Sequence, residues 1–295
     1  MPKTEHWQWY VEEFSPTEMH HHALEETYHS RRTQFQSVAV VRSATFGKML
    51  IIDGDTQSSQ GDERIYHETL VHPALAACEN RSDVLILGGG EGATLREVLR
   101  CPDVRTCTMV DIDGEVVELS KRYLPEWGAD AWNDKRARVI IGDALKFLRE
   151  EKAAFGAIVS DLTEPLEDSP SHPLFNTRVF EDIKARLVDG GVYVLQASTA
   201  AFHNASLHAK MARTLQKFFR YVRSFSTHVP AFDTEWAFLA CSDRADVAAM
   251  EAGRIDAYVS KLAGESMFYD AETHRRLFSL PLFLRRELDK PGDTF

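Results

Sequence analysis

From Val84 onward the chain repeats one unit: a short, almost wholly apolar run, a polar or glycine-bearing tip, then a segment with helical spacing. The runs are VLILGG (Val84–Gly89), TCTMVDI (Thr106–Ile112), ARVIIGD (Ala137–Asp143) and GAIVSD (Gly156–Asp161). The intervening helical segments are Thr94–Arg100, Glu115–Leu124 and Ala144–Glu151. Another around Val179–Leu187 leads to a fifth run, GVYVLQ (Gly191–Gln196). Strands that read as continuous apolar runs are buried on both faces, and alternation with helices is the mark of a parallel sheet. The pattern predicts an α/β fold with a mostly parallel, doubly wound sheet. A long amphipathic segment (Ala205–Phe219) then precedes VRSFSTHV (Val222–Val229) and EWAFLACS (Glu235–Ser242), expected as a terminal antiparallel pair. Leu282–Phe295 reads as a last amphipathic helix with a frayed tail.

The first third is different. SVAVVRS (Ser37–Ser43) and KMLIID (Lys48–Asp53) are β-rich, and Asp53-Gly54 is a tight-turn pair. A small antiparallel β domain over residues 1–65 is expected, with the α/β domain over 66–295. So small a sheet needs a docking or pairing surface, so a homo-oligomer is expected. LEETYHSRR (Leu24–Arg32) reads as a solvated helix, and a helix starts near Asp62 and runs toward Ala77. His20-His21-His22 with His29 reads as solvated surface rather than a metal patch, and Trp127 and Trp132 as packing residues.

Lys and Arg total 34 against 45 Asp and Glu, a net charge of −11. Nucleic-acid binding rests on neutralising phosphates, so that partner is disfavoured, whereas a cationic ligand suits the balance. The four cysteines show no CxxC spacing, and MPKTEHWQWYVEEF holds no apolar signal segment, so a cytoplasmic protein is expected. No apolar run is long enough to span a bilayer, and no membrane partner is expected.

Ligands of open α/β sheets bind beyond the carboxyl ends of the strands, so the tips are the candidates. The first is Gly88-Gly89-Gly90-Glu91-Gly92, whose glycines allow close backbone approach as a helix opens. The second ends at Asp111, with Asp113 two residues on, placed to accept from ribose hydroxyls. The third ends at Asp143-Ala144, where a carboxylate can receive an adenine amino group. Three successive acid-tipped strands favour a nucleoside over simple helix capping. Glu91 inside the turn would repel a phosphate, which points to a cationic, sulfonium nucleoside. The fourth tip, Asp161-Leu162-Thr163-Glu164-Pro165, puts two carboxylates three residues apart, and Asp62, Glu63, Tyr66, His67 and Glu68 open the helix upstream.

These segments carry a resemblance. FGKMLIIDGDTQSS (Phe46–Ser59), DERIYHETLVHPAL (Asp62–Leu75), GGGEGATLREVLR (Gly88–Arg100), VDIDGEVVE (Val110–Glu118), GDA (Gly142–Ala144), SDLTEP (Ser160–Pro165) and HVPAF (His228–Phe232) resemble the polyamine aminopropyltransferase, or spermidine synthase, family. The resemblance implies a Rossmann-like, methyltransferase-type sheet and transfer of an aminopropyl group from decarboxylated S-adenosylmethionine to an amine, leaving methylthioadenosine. It implies that Gln36, Gly88, Gly90, Glu91, Asp111, Asp143, Ala144 and Pro170 contact the nucleoside. Tyr66, His67, Glu91, Asp161, Leu162, Thr163, Glu164 and Phe232 would hold the aminopropyl and acceptor amines, with Asp161 as proton acceptor.

The residue types agree with that chemistry. An alkyl amine is almost fully protonated at neutral pH and only its neutral form attacks carbon, so a base must take a proton. The sulfonium is already a good leaving group, so no metal or bound prosthetic group is invoked; the decarboxylated nucleoside is a co-substrate. Glu91 attracts the donor's ammonium and repels the carboxylate that ordinary S-adenosylmethionine carries. Glu at 91 and 164 and Phe232 in place of a tyrosine resemble the members that act on agmatine or longer polyamines rather than putrescine. A methyltransferase of small molecules on the same fold is the alternative.

Overall fold

The computed structural model describes residues 7–15, 17–165 and 170–295. The chain opens with five strands, β1 (Gln8–Ser15), β2 (Glu18–Arg32), β3 (Ser37–Ser43), β4 (Gly47–Ile52) and β5 (Asp55–Ser59), paired antiparallel in sequence order. The β4–β5 connection is the two-residue Asp53-Gly54 turn, both residues at positive φ, which matches the right-handed twist of the strands it joins.

The expected helix over Leu24–Arg32 is instead the second half of β2, paired to β3 from Leu24↔Ser43 to Arg32↔Ser37. Its charges suggested a helix face, but Thr27, Tyr28 and His29 tolerate extended backbone and the β3 edge supplies the hydrogen bonds. The histidine run lies on the same strand, so its side chains alternate: His21 is exposed, whereas His22 is buried against Tyr10 and Phe46. The solvated reading therefore fails for His22.

After α1 (Glu63–Ala77), the second sheet is built from β6 (Asp83–Gly88), β7 (Thr106–Asp111), β8 (Ala137–Ile141), β9 (Phe155–Asp161) and β10 (Leu187–Thr199), all parallel. The connecting helices are α2 (Ala93–Leu99), α3 (Gly114–Tyr123), α4 (Pro125–Gly128), α5 (Ala144–Glu150) and α6 (Thr177–Ala185). Beyond α7 (Ser206–Leu215) come β11 (Tyr221–Val229) and β12 (Thr234–Ser242). The latter inserts antiparallel between β10 and β11, giving the order β11-β12-β10-β9-β6-β7-β8. Three C-terminal helices follow, α8 (Ala252–Val259), α9 (Ala271–Leu277) and α10 (Leu282–Asp289). No helix among the described residues is long and apolar enough to cross a membrane.

Neighbouring residues on one strand feed opposite cores. Ile86, Val159 and Val194 pack with α1 and α2, while Leu85, Ile158 and Leu195 pack with α6 and α7. That two-sided burial is why these strands lack polar alternation. The N-terminal sheet docks through Val38, Val40, Leu50 and Ile52 onto Ala93, Val116, Leu119 and Trp127. The order in which strands are added reverses between β6 and β9, which stay parallel, and the crevice opened there is roofed by the small sheet.

Candidate active site

Close packing at the strand tips dictates the glycine turn. A side chain at Gly88, at φ +82°, would put Cβ 2.2 Å from the Asp161 carbonyl oxygen, and one at Gly90 would lie 2.7 Å from Asp111 Oδ2. The Gly89 N–H donates to that same Asp161 carbonyl at 2.9 Å, locking β6 to β9 at the tip. A cavity of about 270 Å³ results, walled by the glycine turn, Gln36, Leu50, Ile52, Val110, Asp111, Asp143, Ala144 and Leu162. Burial pushes the Asp111 carboxyl up to about 6, against backbone N–H groups of Asp113 and Gly90 that favour its charged form. Asp113, by contrast, caps α3 and accepts from Thr33 at 2.6 Å and Gln36 Nε2 at 3.2 Å, so it serves the frame. Asp143 caps α5 through Leu145 N–H at 2.7 Å and still faces the cavity. Capping and ligand contact are thus compatible at one side chain.

Glu91 is gripped at both oxygens. Ser58 donates to Oε2 at 2.5 Å and His67 Nε2 donates to Oε1 at 2.6 Å, while Trp127 Nε1 donates to Ser58 Oγ at 2.9 Å. His67 Nδ1 is 2.6 Å from the Glu63 carbonyl oxygen and 3.2 Å from its carboxylate. Glu63 in turn receives a two-point contact from Arg96, at 3.0 and 2.7 Å. Burial disfavours a charged His67, but Glu91, Glu63 and Asp161 outweigh it and raise its proton affinity well above the ordinary imidazole value. Asp161, at the β9 tip, accepts from Tyr66 Oη at 3.0 Å and from Thr94 Oγ1 at 2.5 Å.

A second cavity, of about 300 Å³, adjoins the first and shares Ile52, Gln57, Tyr66, Leu162 and Thr163 with it. Its remaining walls come from both sheets: Glu12, Glu13, Asp53 and Asp55 from the N-terminal sheet, and Glu164, Gln196, Ser198, Phe232 and Trp236 from the other. Ser198 sits at φ +67° where the β10–β12 register slips, which turns its hydroxyl onto Glu164. Left-handed backbone at a non-glycine residue costs on the order of 1 kcal/mol, and such strain clusters at ligand sites. Burial raises the Glu164 carboxyl. Burial, then Glu12, Glu164 and Asp53, raise Asp55 to about 6.

A spermine/spermidine synthase domain matches residues 63–250, and a spermidine synthase tetramerisation domain matches residues 8–60. The chain belongs to the spermine/spermidine synthase family. It is an aminopropyltransferase of polyamine biosynthesis, not a methyltransferase. The polyamine aminopropyltransferase of Sulfolobus acidocaldarius is 41% identical, over 96% of this chain and 94% of that one. Its counterpart from Sulfurisphaera tokodaii is 40% identical over the same shares. Among solved structures, spermidine synthase in complex with the transition state analogue AdoDATO matches with a TM-score of 0.89, at 25% identity over 97% of this chain and 96% of that one. Spermidine synthase from Thermotoga maritima matches at 0.88 and 25% identity, over 97% and 95%.

Within this family member the residues expected around the nucleoside lie together. Gln36, Gly88, Gly90, Glu91, Asp111, Asp143, Ala144 and Pro170 all line the first cavity. Tyr66, Leu162 and Thr163 stand where the cavities meet, Asp161 faces the first, and Glu164 and Phe232 face the second. His67 lines neither; it lies behind Glu91 and fixes it. The upstream acids are buried rather than solvated: Asp62 accepts from Ser59 and from Ala231 N–H, and Glu68 accepts from the backbone N–H groups of Met267, Phe268 and Tyr269. Glu12, Asp55, Gln57, Ser198 and Trp236 escaped the sequence reading, since an isolated polar or aromatic residue on a strand gives no sign of which sheet it will face.

Proposed function

We propose that the first cavity holds decarboxylated S-adenosylmethionine and the second an amine acceptor, with Asp161 taking the proton at their junction. Asp111 and Asp143 would receive the ribose and adenine, and Glu91 the donor's ammonium. The acceptor nitrogen attacks the propyl carbon bound to sulfur; the N–C bond forms, the C–S bond breaks, and its electron pair leaves on sulfur as S-methyl-5′-thioadenosine. The surplus N–H proton passes to Asp161. Much of the rate then comes from holding nitrogen and carbon in line. The observation that carries this reading is the meeting of two acidic cavities at Tyr66, whose hydroxyl donates to Asp161 on the wall of the first.

Agmatine or a triamine such as spermidine is favoured over putrescine. Glu12, Asp55 and Glu164 stand beyond Tyr66 and can hold a cationic group far from the reacting nitrogen, while Phe232 and Trp236 supply aromatic walls. We place the boundary between the β domain and the catalytic domain near Ile65. Trp9, Val11 and Met19, each about half exposed on or beside the β1–β2 hairpin, support assembly into a homo-oligomer through the small sheet. Four buried free thiols suit a cytoplasmic protein. The test incubates the protein with decarboxylated S-adenosylmethionine and, separately, agmatine, spermidine and putrescine, following methylthioadenosine by mass spectrometry. Release with agmatine or spermidine above that with putrescine is expected. No release with any amine would overturn the reading.

A further inference from the structure

Thr94, the second residue of α2, has no solvent exposure. A buried hydroxyl without a partner is costly, and valine would fill the same space without that cost. Its hydroxyl donates to Asp161 Oδ2 at 2.5 Å. Gly89 lies beside the pair: a Cβ there would be in ordinary contact with both partners, at 3.5 Å from Asp161 Oδ2 and 3.7 Å from Thr94 Cβ, while its φ of +76° disfavours any side chain.

The oxygen that Thr94 engages is the one nearest a competing cation. His67 Nε2 lies 4.0 Å from Asp161 Oδ2, already bonded to Glu91 on the same side. A small turn of the Asp161 side chain would close that gap into an ion pair and take the carboxylate away from the substrate nitrogen. Tyr66 alone cannot prevent it, because it holds the other oxygen, Oδ1, about which the carboxylate can pivot. With both hydroxyls in place, each oxygen is tied once and keeps a lone pair for the amine.

We propose that Thr94 is a positioning residue for aminopropyl transfer: it holds Asp161 Oδ2 off His67, so that the carboxylate stays aimed at the junction of the two cavities. The inference rests on Asp161 as the proton acceptor. Thr94 never touches substrate; its one proton stays on its own oxygen while the amine's proton goes to Asp161.

Two variants separate the hydroxyl from the methyl group. Thr94→Val keeps the shape and loses the donor; Thr94→Ser keeps the donor and loses the methyl. Each is assayed with decarboxylated S-adenosylmethionine and saturating spermidine or agmatine, together with its melting temperature and its Kd for methylthioadenosine. The expected result is a kcat lowered about tenfold or more in Thr94→Val, as for the loss of one hydrogen bond to a charged group. Thr94→Ser should stay near wild type, and methylthioadenosine should bind both variants as it binds wild type. Packing predicts the reverse ranking, so kcat in Thr94→Val equal to or above that in Thr94→Ser overturns the proposal. A fall in kcat matched by an equal loss of methylthioadenosine affinity overturns it too. A wild-type protein that releases no methylthioadenosine would instead sink the functional reading itself, which distinguishes the two failures.

Discussion

Replacing Glu91 by Gln removes one partner of a buried cation, and its cost can be worked from the surroundings of His67. The imidazole is 1% exposed. The charged and titratable groups around it are Asp62 at the cap of its own helix, Glu63 and Tyr66 on that helix, Glu91 from the glycine turn, Asp161 from β9, and Arg96 of α2 behind Glu63. Breaking a buried ion pair by deleting one partner costs about 3–5 kcal/mol. Glu63 stays ionised against Arg96 and keeps part of the attraction, so about 2 kcal/mol is expected. For a chain of this size that is roughly 4–8 °C in melting temperature. The sign follows from the raised proton affinity of folded His67. Its contribution is complete below the unfolded value of about 6.5 and fades as pH rises through the higher folded value. The gap between wild type and Glu91→Gln should thus be widest near about pH 6 and narrow toward alkaline pH. Thermal scanning of both proteins across that range measures it. A gap of constant size, or none near pH 6, would refute a charged His67 held by Glu91.

Three further outcomes are expected. Asp161→Asn should lower kcat by about 10²–10⁴, the usual share of a general base, while calorimetry finds methylthioadenosine binding unchanged. Asp55→Asn should raise the melting temperature and raise the acceptor KM about tenfold, the loss of one hydrogen bond to charge. Its carboxyl is shifted up to about 6, so its ionised form is a cost to the folded chain above that pH, and wild-type acceptor KM should climb as pH falls through about 6. Gly90→Ala should raise donor KM at least about tenfold with the fold retained, because its Cβ would displace Asp111 Oδ2, 2.7 Å away, without demanding left-handed backbone.

The first cavity was legible because its glycine and acid walls end strands. Gly88, Asp111, Asp143 and Asp161 stop apolar runs, and the topology of a doubly wound sheet gathers such ends into one crevice. The same regularity exposed β10 to β12. The error at β2 has the opposite origin: Leu24–Arg32 carries no decisive period, and pairing with β3 settled its conformation. His67 was legible as a neighbour of the acids but not as their support, because spacing on α1 cannot tell the cavity face from the one behind it. Nor could spacing show that Glu68, one residue further, would cap a loop 199 to 201 positions away.

The two halves of the site also differ in how freely they can change. The acids proposed to hold the donor hang on strand tips or helix caps of the large sheet, where Asp143 and the Asp111–Asp113 pair also hold helix starts. A substitution at Asp143 removes a helix cap as well as part of the cavity wall. On the acceptor side, among the described residues, Asp55 carries no side-chain hydrogen bond and the Glu164 carboxylate accepts from the Ser198 hydroxyl alone. Asp55 stands on the separate, docked sheet and Glu164 on the loop after β9, and neither is hydrogen-bonded to Glu91, Asp111 or Asp161 among the described residues. On the proposed reading, the reaction and its donor are therefore set by the frame of the large sheet, and the choice of amine by side chains that the frame does not need.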